Sequence, residues 1–159
     1  MKTRRIDNYG KINRDKILSF RWDKKNYKGF EGDTLASALL ANNIGIVGRS
    51  FKYHRPRGIF SSGVEESGAL VTIGSKDRRD PNVRATTQEL YNGLEASGQN
   101  AFPNVNFDLA GINNYLGRFF AAGFYYKTFM GIPPFEWGRG TAIWMFFEKF
   151  IRKAAGMGS

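Results

Sequence analysis

Two short runs near the start of the chain alternate apolar and polar residues with a period of two. The first run covers residues 17–22, the second covers residues 27–30, and polar residues 23–26 separate them. Successive side chains of a strand point to opposite faces of a sheet, so this alternation is typical of half-buried strands. The two runs predict a β-hairpin whose turn lies at residues 23–26.

A helical pattern follows the hairpin. Leu35, Ala38 and Leu39 recur at helical spacing and predict one buried face. Asp33 or Thr34 can cap the first turn, because either side-chain oxygen can accept a free main-chain N–H. Asparagines at positions 42 and 43 predict the end of the helix, since Asn tolerates the left-handed conformation of many helix stops.

The next stretch predicts further strands and a second helix. Residues 44–47 and 69–74 are rich in β-branched residues and predict strands, and residues 83–85 predict a short edge strand. A capping-box pattern, Thr86 with Glu89 three residues later, predicts a helix over residues 87–96. Strand, strand, helix and further strands is the order of a β-grasp domain, and we place its end at residue 97.

The composition changes after residue 98. Residues 108–116 predict a capped helix, and residues 141–155 predict an amphipathic helix with basic residues near its C-terminal end and a stop at Gly156. More than half of the 24 aromatic residues (14 Phe, 7 Tyr, 3 Trp) lie between Tyr115 and Phe150. We expect residues 98–159 to form a mostly helical, aromatic-rich extension that packs on another domain or subunit; a local satellite core is the alternative.

The amino-acid composition limits the partners that the chain can bind and the reactions that it can support. The net charge of +10 favours anionic partners or a solvated basic surface. The chain has no cysteine, which excludes disulfides, thiolate nucleophiles and cysteine-ligated clusters and fits a cytoplasmic protein. Residues 1–8 lack the apolar core of a signal peptide, and no apolar run approaches the ~20 residues that span a bilayer, so we expect no membrane partner.

A basic block is the densest group of candidate functional residues. Its five members lie within nine positions and are interleaved with two aromatic residues: Arg49, Lys52, His54, Arg55 and Arg57. Guanidinium groups match phosphate oxygens, so the block could bind a phosphate-bearing partner, a nucleic acid or an acidic protein surface. The single histidine, His54, has no co-ligands of the kind that a metal needs, which favours a hydrogen-bonding role. We identify no catalytic residue.

Three longer motifs carry a family resemblance. They are EGDTLASALLAN at residues 31–42, GRSFKYHRPRGIF at residues 48–60 and FYYKTFM at residues 124–130. On these motifs nearly the whole chain resembles the N-terminal region of the alpha subunit of heterotetrameric sarcosine oxidase. The resemblance implies an α+β fold, a [2Fe–2S] ferredoxin-like β-grasp domain at residues 1–97 followed by the extension at residues 98–159.

The resemblance also implies where cluster ligands would lie. Cluster-bearing relatives carry C-x4-C-x2-C and a fourth cysteine, and these positions correspond to Ser61, Glu66, Ala69 and Thr86 here. Sarcosine oxidase alpha subunits are themselves expected to lack the cluster. We therefore predict that this chain holds no metal and no cofactor, and that Glu65 or Glu66 pairs with an arginine of the basic block instead.

The implied function is structural. Enzymes of this family demethylate sarcosine oxidatively, and FAD, FMN and NAD are implied for the whole complex. The implied partners are the remaining alpha-subunit domains and the beta subunit, with this chain acting as a non-catalytic docking domain. Two alternatives stay open at this point: an electron-transfer module, which needs a redox centre, and a basic nucleic-acid-binding module, which rests on charge alone.

Overall fold

A computed structural model of the chain describes residues 4–75, 78–119 and 140–154. Helices and strands follow one another in the order β1 (Asn13–Trp22), β2 (Lys25–Glu31), α1 (Leu35–Ala41), β3 (Gly48–Arg49), β4 (Pro56–Arg57), β5 (Leu70–Ile73), β6 (Asp80–Arg84) and β7 (Glu95–Gly98). Two 3-10 helices, Leu109–Asn114 and Leu116–Phe119, and the helix α2 (Gly140–Ala154) complete this order.

Five strands form a mixed sheet in the order β2-β1-β7-β5-β6. Strands β1 and β7 run parallel, and the other neighbours are antiparallel. Strands β3 and β4 form a separate two-stranded ladder. The buried residues of α1 and of the five-stranded sheet share one hydrophobic core, so the expected α+β, β-grasp architecture is confirmed.

The predicted hairpin is confirmed. Leu18, Phe20 and Trp22 point into the core while the residues between them are exposed, as the alternation predicted. The turn is shorter than expected: β2 already begins at Lys25, and only Asp23 and Lys24 connect the strands, with φ angles of 45° and 70°. Such positive φ angles match the right-handed twist of a two-residue hairpin.

The predicted helix is also confirmed as α1. The Thr34 side chain accepts from the main-chain N–H of Ser37, and the Ser37 side chain accepts from Thr34 in return, which closes a capping box. Leu35 and Leu39 are completely buried. The helix ends at Ala41, Asn42 is its C-cap, and Asn43 adopts the left-handed conformation with φ of 67°.

Two local predictions are wrong. Residues 44–47 are not a strand, because the main-chain ladder of β3 begins only at Gly48. No helix forms over residues 87–96, because the main chain there bonds to the first residue of α1 and to the turn before it. The N–H of Leu35 donates to the carbonyl of Gln88, and the N–H of Leu90 donates to the carbonyl of Asp33. These bonds remove the partners that a second helix would need, and residues 95–98 pair as β7.

The remaining elements are strands and helices as predicted, although some of their bounds differ. Strand β5 falls within the expected residues 69–74, and β6 is an edge strand as expected, although it begins earlier, at Asp80. The helix expected at residues 108–116 is a 3-10 helix capped by Asp108. Helix α2 agrees with the expected helix as far as Ala154, while residue 155, the stop at Gly156 and the aromatic residues between 120 and 137 lie outside the described residues.

Candidate functional site

The cluster-type loop, residues 58–69, encloses a carboxylate. Glu66 is only 2% exposed. Its Oε2 atom accepts from the main-chain N–H of Phe60 at 2.6 Å and of Ser61 at 2.7 Å, and its Oε1 atom accepts from Gly68 at 2.5 Å. Three amides of the loop therefore converge on one side chain, and we call them the amide cage.

The amide cage keeps Glu66 ionised. Burial on its own would raise the pKa of Glu66, but the hydrogen bonds from Ser61, Phe60 and Gly68 outweigh it and lower the pKa from 4.5 to about 2. The loop therefore carries a fixed negative charge at neutral pH.

The predicted ion pair with the basic block is not formed. Among the described residues, no salt bridge within 4.0 Å joins Glu65 or Glu66 to an arginine. Glu65 accepts from the main-chain N–H of Gly63 at 3.1 Å, and Arg84 reaches only the main-chain oxygen of Glu66, at 3.2 Å. The prediction was wrong because the loop folds its own amides onto the carboxylate.

The residues at the other three positions that correspond to cluster ligands are also buried or hydrogen-bonded within the fold. Ala69 is fully buried directly before β5 and has no donor atom in its side chain. Thr86, expected to cap a helix, is buried and donates through Oγ1 to the carbonyl of Gly63 at 2.8 Å. The hydroxyl of Ser61 donates to Oε2 of Glu66 at 3.3 Å.

These residues do not fit a [2Fe–2S] cluster. Such clusters are held by thiolates, and the four positions offer a methyl group, two hydroxyl groups and a carboxylate already bonded to amides. Within residues 4–75, 78–119 and 140–154, no group of three or more His, Cys, Asp or Glu residues could hold a metal ion.

The basic block binds a distant part of the same chain. Arg49, whose side chain is 14% exposed, donates to the carbonyl of Val105 through Nε at 3.0 Å and Nη2 at 2.8 Å. Its Nη1 donates to the carbonyl of His54 at 3.0 Å. The Arg55 Nε donates to Asn114 at 3.0 Å. Arginines of the block thus hold residues 105–114 against the β-grasp domain.

Asp108 is the acidic partner within this contact. Its buried carboxylate lies 2.7 Å from Nδ1 of His54 and 3.7 Å from Nε of Arg49. Burial raises the pKa of Asp108, but hydrogen bonds from the Phe102 amide and from His54 outweigh it and lower the pKa below its usual value. His54 therefore has the hydrogen-bonding role that the sequence favoured.

The rest of the block lies nearer the surface. The ammonium group of Lys52 and the guanidinium of Arg55 lie over the Tyr53 ring, at 5.0 Å and 4.7 Å from its centroid. Arg57 is exposed on β4. Arg49 and His54 form hydrogen bonds within the chain, so fewer cationic groups of the block can contact a nucleic acid than the sequence indicates.

Sequence reasoning missed Val105 and Asp108 as partners of this block. They lie 56 and 54 residues away from Arg49 and His54 along the chain. The sequence marked Asp108 only as a helix cap, a role it does have because its side chain accepts from Ala110. No local pattern indicated that the same carboxylate also contacts His54.

A group of exposed apolar side chains lies within and beside the segment that the basic block holds. We call it the apolar surface; its members, all exposed, are Phe102, Phe107, Leu109, Ile112, Tyr115 and Leu116. Helix α2 also has exposed apolar side chains of its own, Met145, Phe146 and Phe150. In the described ranges, no helix combines the length and apolarity needed to cross a bilayer.

Comparison with known proteins places the fold in a family. Residues 15–101 match the model of a family described as the 2Fe-2S iron-sulfur cluster binding domain. The chain belongs to this family. As a member of the 2Fe-2S iron-sulfur cluster binding domain family, the chain nevertheless has no cysteine, and Glu66 occupies the loop in which cluster ligands are expected.

Curated relatives share one name. The chain is 51% identical over 99% of its length to "Sarcosine oxidase subunit alpha" of Rhizobium meliloti (strain 1021), of which it spans 15%. It is 46% identical over 55% of its length to the protein of the same name from Corynebacterium sp. (strain U-96), of which it spans 9%. The resemblance expected from the three motifs is confirmed.

A solved structure that overlaps part of the chain is also similar to it. It is described as the crystal structure of L-proline dehydrogenase from P.horikoshii, and it covers 55% of this chain and 16% of its own, with 24% identity and a TM-score of 0.44.

Proposed function

We propose that this chain is the non-catalytic N-terminal docking domain of a sarcosine oxidase-type alpha subunit. The enzyme would demethylate sarcosine oxidatively with flavin cofactors. The single observation that carries this proposal is the 51% identity that extends over 99% of the chain, across both the β-grasp domain and the extension. The short fraction of the relative that is covered, 15%, fits a domain that works as part of a longer subunit.

The state of the cluster-type loop supports a structural role over electron transfer. An electron-transfer module needs a redox centre, and the loop has no thiolates to bind one. The amide cage is filled by Glu66, so the loop is a closed, hydrogen-bonded unit. We assign FAD, FMN and NAD to other parts of the complex, and we place the complex in the cytoplasm.

The apolar surface supports docking. Its exposed side chains, Phe107, Leu109, Ile112 and Tyr115 among them, are costly to leave in water. We propose that residues 1–97 form the β-grasp domain, that residues 98–159 form the docking extension, and that the occupant of the apolar surface is the remaining polypeptide of the alpha subunit. Arg55 lies beside this segment, because its Nε donates to Asn114, and its positive charge favours an occupant with acidic residues around an apolar centre.

The beta subunit is the second partner of this proposal. It would share the assembled enzyme with the alpha subunit, and neither nucleic acid nor a membrane is part of the proposed function. The basic block supports assembly from inside the chain, because Arg49 and His54 orient the segment that carries the apolar surface.

An assembly experiment tests the proposal. The chain is co-expressed with the remaining alpha-subunit polypeptide and the beta subunit, and sarcosine-dependent hydrogen peroxide formation is measured. We expect activity only from the assembled complex and none from the chain with added FAD alone. Oxidation of sarcosine by the chain with FAD, without another subunit, contradicts the non-catalytic role.

Matched variants test the apolar surface. Ile112→Asp places a charge on the surface, and Ile17→Asp places one at an exposed position of β1 outside it. We expect Ile112→Asp to weaken binding to the remaining alpha-subunit polypeptide by about tenfold or more, while Ile17→Asp binds like the unchanged chain. Equal affinity of all three forms would show that the occupant lies elsewhere.

A further inference from the structure

Glu66 and the amide cage have the geometry of an anion site with its ligand supplied by the chain. Both carboxylate oxygens accept main-chain hydrogen bonds, two on Oε2 and one on Oε1. The side chain is 2% exposed and the amide of Gly68 is buried with it. Among the described residues no arginine forms an ion pair with Glu66, so this anion is stabilised by main-chain amides and, at the longer distance of 3.3 Å, by the Ser61 hydroxyl.

The loop main chain is held by contacts that do not involve the carboxylate. Thr86 donates to the carbonyl of Gly63 at 2.8 Å, Arg84 donates to the carbonyl of Glu66 at 3.2 Å, and Ala85 donates to the carbonyl of Ala69 at 2.9 Å. These three contacts fix the loop from the β6 side. The amides of the cage therefore keep their direction when the Glu66 side chain is removed.

Close packing at two glycines holds the cage as well. A Cβ atom at Gly68 would lie 2.9 Å from the carbonyl oxygen of Gly58 and 3.0 Å from Oε1 of Glu66. A Cβ atom at Gly58 would lie 2.8 Å from the carbonyl oxygen of Gly45. The loop is thus shaped so that its main chain, without side chains between, approaches the anion.

We propose that the amide cage is a small-anion site whose occupant is the Glu66 carboxylate, taking the place that an anionic cluster would have in this fold. One of the chain's own side chains then occupies the loop that holds a cofactor in cluster-bearing relatives, and the loop main chain, held from the β6 side, presents its amides to the negative charge. The chemical class that the cage accepts is a small monocarboxylate. This inference is independent of the proposed docking function.

Chemical rescue tests the proposal in the full chain. Amide hydrogen exchange at Phe60, Ser61 and Gly68 is followed by NMR in the unchanged chain and in Glu66→Ala. We expect exchange at these three amides to become about tenfold faster or more in Glu66→Ala. Sodium formate at about 0.1 M should restore the protection, and sodium chloride at the same ionic strength should not.

Two further variants separate the charge from general packing. Glu66→Gln keeps the shape but places an NH2 group against a donor, and we expect it also to lose protection. Glu65→Ala removes the neighbouring carboxylate, which is outside the cage, and should leave the three amides unchanged. Should Glu66→Ala fail to fold, Glu66→Gln still decides the matter through the same measurement.

Three results would overturn the proposal. Unchanged protection in Glu66→Gln would show that the negative charge is not needed. Equal recovery with chloride and formate would show screening in place of a site for monocarboxylates. Loss of protection in Glu65→Ala as large as in Glu66→Ala would show that the loop, and not the caged anion, sets the exchange rates.

Discussion

Single residues set the electrostatics of this chain at two places. Glu66 is an anion that main-chain amides stabilise, and Arg49 is a cation whose donors reach two main-chain carbonyls. Both are largely buried, and both leave polar groups without partners when they are replaced. Removing one member of such a contact costs more than the contact itself contributes.

Acid should weaken the fold through Glu66. Its pKa is lower in the folded chain, about 2, than the ordinary 4.5, so its contribution to stability is present above pH 4.5 and is lost as the pH falls towards 2. We expect the free energy of unfolding, measured by urea titration, to fall more steeply between about pH 5 and pH 2 in the unchanged chain than in Glu66→Gln. Parallel pH profiles of the two proteins would contradict this assignment.

Arg49→Lys should destabilise the chain although it keeps the charge. A lysine ammonium cannot reach the carbonyls of Val105 and His54 with the same fork of donors. We expect a loss of about 1–3 kcal/mol in the free energy of unfolding. Arg57→Lys, at an exposed position of β4, is the matched control and should change it by less than about 0.5 kcal/mol. Similar losses in both variants would rule out a special role for Arg49.

At the scale of elements, local patterns succeeded where the main chain bonds to its own neighbours. The hairpin β1–β2 and helix α1 both have short-range hydrogen bonds, and their apolar residues face the core. The helix expected at residues 87–96 failed because its main-chain groups bond to α1 across the molecule. A capping-box pattern cannot predict these long-range hydrogen bonds, because it describes only four consecutive residues.

The hairpin turn offers a test at this scale. Lys24 has φ of 70°, a conformation that costs a non-glycine residue free energy, so Lys24→Gly should stabilise the chain by about 0.5–1 kcal/mol. Lys25→Gly is the control: Lys25 pairs with Trp22 as a strand residue, and glycine there should destabilise by a similar amount. Thermal unfolding followed by circular dichroism measures both, and destabilisation by Lys24→Gly would refute the turn assignment.

At the scale of the whole molecule, Val105 anchors the proposed extension to the end of the five-stranded sheet. This residue is 1% exposed, and its carbonyl accepts from Arg49. A Cβ atom at Gly98 would lie 2.1 Å from Cγ1 of Val105 and 3.1 Å from the carbonyl oxygen of Val47. Gly98 and Val105 are therefore so close that no side chain larger than hydrogen fits at position 98 without a shift of Val105.

Gly98→Ala tests this packing. The added methyl group overlaps Val105, so we expect a loss of about 1–3 kcal/mol in the free energy of unfolding. Gly45→Ala is the control, because a Cβ atom there would meet nothing within 4 Å. Urea denaturation of the two variants should differ accordingly; an equally small effect of both would show that Val105 moves aside without cost.

The sequence by itself determined the hairpin, helix α1, the edge strand β6 and helix α2, because alternation, helical spacing and caps act between residues that are near in the chain. It also excluded a thiolate-held cluster, since a cysteine count needs no geometry. Only the tertiary structure decided what fills the loop and what the basic block contacts. The amides of the cage come from main-chain groups that no residue type marks, and the contact between His54 and Asp108 joins residues 54 positions apart.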